Sequence, residues 1–86
     1  MRRVWVTSAA YEAAVSQLVI VRKRLGLSQR ELAQRLNKPR SFVSKIESRE
    51  RRIDIVEFVV LARAMGTEPT ALLAEVANSL PPNIDI

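Results

Sequence analysis

Two capping signatures and two glycines cut this chain into short helical lengths, and that punctuation constrains its fold more than any other feature. Ser28-Gln29-Arg30-Glu31 pairs a hydroxyl with a carboxylate three residues later. Asp54-Ile55-Val56-Glu57 repeats the device with Asp as the cap. In each, the first side chain accepts from the third helical amide while the acid reaches back, so a helix starts there. Gly26 and Gly66 each follow an apolar-periodic segment, ending in Leu25 and Met65 respectively. A helix C-terminus in the left-handed conformation belongs at such a position.

Between these marks the pattern predicts five helices. The first runs over residues 9–25, capped by Thr7 or Ser8, with Val15, Leu18, Val19, Arg22 and Leu25 on one face. The second follows Ser28, buries Leu32, Ala33 and Leu36, and ends with Asn37 in a left-handed conformation. Pro39 opens the third, where its missing N–H does no harm. Phe42 or Val43, with Ile46, faces inward, leaving Arg40, Ser41, Ser44 and Lys45 outward; this helix ends near Ser48. The fourth runs from Asp54 to Met65 and is apolar over much of its girth, so it is expected to be the most buried. The fifth begins near Pro69, carries Leu72, Leu73 and Val76, and ends about Asn78 before Pro81-Pro82. The expected fold class is all-α: a compact five-helix bundle over residues 9–78, with an N-terminal extension (1–8) and a C-terminal tail (79–86). A tight turn between the second and third helices is the helix-turn-helix arrangement.

Charge is distributed unevenly. Residues 22–52 hold eleven basic and three acidic side chains, whereas residues 53–86 hold Arg63 against five acids. Across all 86 residues the net is only +5. A merely solubilising surface mixes signs more evenly, so the basic middle third points to an anionic partner.

Several chemistries are closed off. The chain has no Cys and no His. Disulfides and thiolate nucleophiles are therefore excluded, and a structural zinc site and His-based catalysis fall with them. The remaining Asp, Glu, Lys, Ser and Tyr show no spacing that assembles a catalytic site, so no enzymatic activity, metal or cofactor is expected. No apolar run approaches the ~18 residues of a membrane span. The segment after Arg2-Arg3 contains Thr7, Ser8 and Glu12 and lacks a signal-peptide core. A cytoplasmic location is expected.

Three spaced blocks agree in order and distance with one family. Gly26-Leu27-Ser28-Gln29-x-Glu31-Leu32-Ala33-x-x-Leu36, then Ser41-x-Val43-Ser44-Lys45-Ile46-Glu47, then Leu61-Ala62-x-Ala64-Met65-Gly66 resemble the phage-repressor/Cro-like (XRE) helix-turn-helix proteins, whose domain is of the lambda-repressor type. The resemblance implies a sequence-specific, dimeric regulator that binds double-stranded DNA at a near-palindromic operator and represses by occluding promoters. An antitoxin that grips a toxin, and a transcriptional activator, are the competing readings. By the same resemblance the third helix is the recognition element. Arg40, Ser41, Ser44 and Lys45 are of types that suit base edges, and Ser41 and Lys45 suit a phosphate as well. Gln29, Arg30, Lys38, Arg49, Arg51 and Arg52 are expected at phosphates, which position without specifying sequence, and the resemblance implies that Gln29 also braces a side chain of the recognition helix. The family ties its first helix to its third by an Arg–Glu pair, here Arg22 and Glu47. The chain departs from the pattern at Asn37 and at Arg49-Glu50, where the family usually has glycine.

Leu72, Leu73, Val76 and Leu80, with Ile84 and Ile86, form the candidate dimer surface. Val4-Trp5-Val6 has strand character and suits packing or dimerisation better than a DNA-contacting arm. No small-molecule effector is expected.

Overall fold

The computed structural model describes residues 8–84. Ser8 opens the fold: its hydroxyl accepts from the Tyr11 amide at 3.1 Å and caps α1, Ala9–Arg24. Thr7, the alternative cap, lies outside the described residues, as do the expectations for Val4-Trp5-Val6 and Ile86. Four further helices follow: α2 Gln29–Arg35, α3 Arg40–Glu47, α4 Ile55–Met65 and α5 Pro69–Ser79. Both predicted capping boxes are formed, Ser28 with Glu31 and Asp54 with Glu57. Pro39 stands one position earlier than expected, as the N-cap of α3 rather than its first turn. The described residues contain no strand.

The bundle is built by pairing. α2 packs on α3, α1 packs on α5 and on α3, and α4 bridges α5 and α2. One continuous apolar cluster joins all five, with Val21, Val43, Ala62 and Leu72 at its most enclosed points.

Three expectations about burial are corrected. The first concerns the end of α1. Gly26 adopts φ +75°, and the Leu27 amide donates back to the Arg22 carbonyl at 3.1 Å. That reversal sends Leu27 into the core in place of Leu25, which is left exposed, and Val21 rather than Val19 lies deepest on the helix face.

The second concerns α4. Leu61, Ala62 and Met65 are buried, but Ile55, Val56 and Val60 are 81%, 68% and 48% exposed. The helix is apolar on two sides and only one side meets its neighbours, so it is not the most buried.

The third concerns the proposed dimer surface. Leu72 is 0% and Val76 8% exposed. Both are core residues, facing α1 from α5, and have no surface to offer a partner. Leu73, on the other side of α5, is exposed, and Leu80 is half-buried.

Leu72→Ala is expected to cost about 3 kcal/mol through lost burial and a residual cavity. Urea denaturation checks this as a lower midpoint at unchanged slope.

Candidate nucleic-acid interface

Local geometry fixes how α2 presents α3. The Asn37 amide donates to the Gln34 carbonyl and the Lys38 amide to the Ala33 carbonyl, at 3.1 and 3.0 Å. Asn37 takes φ +56°, the left-handed turn that the sequence led us to expect. The chain then re-enters helix with Val43 and Ile46 buried and Arg40, Ser41 and Lys45 exposed. Ser44 is half-buried, and its hydroxyl donates to the Ser41 carbonyl at 3.3 Å.

A relay of hydrogen bonds locks this face of α3 to the rest of the bundle. Arg22, only 6% exposed, donates from Nε to Glu47 Oε2 at 2.6 Å and from Nη2 to Oε1 at 2.8 Å. Its Nη1 donates to the Leu27 carbonyl at 2.7 Å. Glu47 Oε1 also accepts from Gln29 Nε2 at 2.8 Å, and Gln29 Oε1 in turn accepts from Arg40 Nη2 at 3.3 Å. The path runs from α1 through the end of α3 and the start of α2 to the first residue of α3. A bidentate Arg–carboxylate pair fixes orientation as well as distance. Gln29, expected at a phosphate and as a brace of the recognition helix, braces Arg40 through its Oε1, and its amide nitrogen is spent on Glu47.

The basic block divides into committed and uncommitted charges. Arg24 pairs bidentately with Glu75, at 2.9 and 2.8 Å. Arg35 donates to the Ala64 carbonyl at 3.0 Å. Arg51 is held by both oxygens of Glu57, with Nη1 at 2.9 Å, and its guanidinium lies 4.7 Å from the Phe42 ring centroid. Arg52 stacks 4.5 Å over Tyr11, whose hydroxyl accepts from the Ile53 amide. These ties anchor the loop between α3 and α4. Arg30, Lys38, Lys45 and Arg49 have no ion-pair partner among the described residues, and Arg40 has only its contact with Gln29. Lys38 Nζ lies 5.6 Å from the Phe42 centroid. Arg49 takes φ +67°, at the place where the resembled family usually has glycine.

An open cleft of about 450 Å³, lined by Arg22, Ser28, Gln29, Arg30 and Arg40, lies between the starts of α2 and α3. It suits an anionic group: Arg30 and Arg40 flank it, and the first amides of α2 lie beside it. No group of His, Cys, Asp or Glu among the described residues could hold a metal ion. No described helix is long and apolar enough to cross a membrane.

The comparisons with known proteins agree with this geometry. A family model described as helix-turn-helix matches residues 18–72. An XRE-family like protein from Pseudomonas syringae pv. tomato str. DC3000 has a solved structure that is 45% identical, with a TM-score of 0.76. The match covers 85% of this chain and 89% of that one. The crystal structure of the clp gene regulator ClgR from C. glutamicum shares the fold at a TM-score of 0.75 and 22% identity, over 88% of this chain and 99% of that one. No curated protein sequence matches significantly. This chain belongs to the XRE-type helix-turn-helix family, a family of DNA-binding transcriptional regulators.

Two measurements check the site's electrostatics. Arg22→Ala strands the Glu47 carboxylate and is expected to cost about 3 kcal/mol, far more than replacing both partners by apolar residues of similar volume; denaturation of the single and double variants separates the two. The Arg51 guanidinium holds the Glu57 carboxyl below its ordinary value of 4.5, and the Asp54 amide adds to that. The folded-state value is depressed, so the stabilisation is complete above about pH 4.5 and is lost as pH falls through the folded value. Glu57→Gln is expected to flatten the stability–pH curve below that point.

Proposed function

We propose that this protein is a sequence-specific regulator of transcription that binds double-stranded DNA as a dimer and represses by occluding promoters. The observation that carries the reading is the exposed face of α3. It offers Arg40, Ser41 and Lys45 to solvent, and the part-buried Arg22–Glu47–Gln29 relay holds it in place. Arginine and serine are suited to purine edges in the major groove, and a short helix fits that groove.

Arg40, Ser41, Ser44 and Lys45 are assigned to bases. Of these, Ser44 is the least accessible. Arg30, Lys38 and Arg49, with Gln29 at the edge of the cleft, are assigned to phosphates. Arg51 and Arg52 stand at the same border, but their contacts with Glu57 and Tyr11 make them braces of the loop first and phosphate ligands second. One α3 spans only a few base pairs, so a near-palindromic operator with half-sites about one helical turn apart suits two copies.

Binding to an operator fragment selected from random duplexes tests the reading. If a dimer neutralises on the order of ten phosphates, log K plotted against log salt slopes near −9. Arg40→Ala is expected to lose about 1–3 kcal/mol of discrimination at one base position, whereas Arg30→Ala weakens selected and scrambled duplexes alike. A flat salt response, or equal effects of both variants on both duplexes, overturns the assignment.

A further inference from the structure

Between α4 and α5 the bundle leaves an open apolar groove of about 390 Å³. α4 contributes Ile55 and Phe58 to its lining, and α5 contributes Leu73. Ile55 and Leu73 are largely exposed there. Its polar lining residues are Asp54 and Thr70, both exposed. A groove of this make-up suits a large apolar side chain with one polar atom at its edge.

We infer that this groove is the seat of Trp5, carried to it by the chain's own N-terminal segment, residues 1–7. Three observations select that occupant. The first is where the described chain begins. Ser8 caps α1, and one turn on, the Tyr11 hydroxyl accepts from the Ile53 amide at 3.2 Å. Ile53 also lines the groove, so the chain enters the described fold beside one end of it. Trp5 precedes Ser8 by three residues, a length of chain that reaches about 10 Å.

The second observation is the match of side chain to site. A tryptophan buries on the order of 150–250 Å², and its indole N–H needs an acceptor once it leaves water. The apolar walls take the ring, and Asp54 or Thr70 supplies the acceptor. The third is charge. Arg2 and Arg3 stand just before Val4-Trp5, and both helices that form the groove start with an acid. Asp54 caps α4, and Glu68, next to the lining residue Pro69, stands at the start of α5. Glu68 is exposed, makes no side-chain cap and has no ion-pair partner among the described residues.

Tethering favours this segment over any occupant in trans. A linked group acts at an effective concentration on the order of mM, so another partner of the groove has to displace Trp5 first. The extension is then a plug for the α4–α5 groove rather than an arm for DNA.

Trp5 is the only tryptophan in the chain, so its fluorescence reports on the groove alone. In the native protein its emission is expected at shorter wavelength than in the urea-denatured chain, with acrylamide quenching several-fold weaker. Leu73→Asp and, separately, Ile55→Asp move the emission to the denatured position and restore quenching. Helical circular dichroism stays unchanged in both, because both sites are exposed. Ile20→Asp, at an exposed position on α1, keeps the wild-type spectrum. The native emission does not change on dilution, as a contact within one chain requires.

Native emission equal to that of the denatured chain, a blue shift that survives both groove variants, or the same loss with Ile20→Asp overturns the proposal. A shift that fades on dilution overturns it as well and gives the groove to a segment from another chain. The readout involves no DNA, so the regulator reading stands or falls separately.

Discussion

The buried pair between Arg22 and Glu47 is the contact on which the rest of the arrangement depends. Removing two charges from water costs several kcal/mol each, and their attraction offsets this only when every donor and acceptor is used. Here they are. Three guanidinium nitrogens have partners at 2.6–2.8 Å, and both carboxylate oxygens accept. Glu47 also sits in the last turn of α3, where the helix dipole disfavours a carboxylate. Without Arg22 that helix end would be unfavourable twice over. With it, α3 is pinned to α1 at one end and, through Gln29 and Arg40, to the start of α2 at the other.

That arrangement changes the meaning of the charge asymmetry. Arg22, Arg24, Arg35 and Arg51 are occupied by carboxylates or carbonyls, and Arg52 by an aromatic face. These ties hold all five helices in register. What remains for an anionic partner is a smaller set around the cleft and the exposed side of α3. The basic block therefore combines scaffold with the proposed contact surface, and counting charges does not separate the two.

The fold was largely legible in the sequence because its signals are local. Capping boxes, Gly66 and the Asn37 turn each depend on a few neighbouring residues, and those fixed five helices to within a residue or two. The pairing of Arg22 with Glu47 came from family resemblance, not from periodicity. What the sequence did not reveal was which apolar residues face a neighbour. α4 reads as buried because Ile55, Val56 and Val60 are apolar, but helical periodicity says only that a side is apolar. It does not say whether an intramolecular partner exists for it. Leu72 and Leu73 are adjacent, so they necessarily point in different directions, and only the packing of α5 on α1 decides which enters the core. Arg51 was misleading for a similar reason. Its partner Glu57 is six residues away across a loop, a separation at which no regular geometry predicts contact.

Arg49 shows a different kind of economy. A left-handed conformation costs a side-chain-bearing residue roughly 1–2 kcal/mol relative to glycine, and the turn after α3 requires it at φ +67°. The chain accepts that strain and places a cation immediately beyond the recognition helix. A drift to glycine at this one position would therefore improve the fold while removing a charge from the border proposed to meet DNA. Selection for thermal robustness and selection for affinity pull in opposite directions there, so among related chains the residue at this turn should track which of the two demands prevailed.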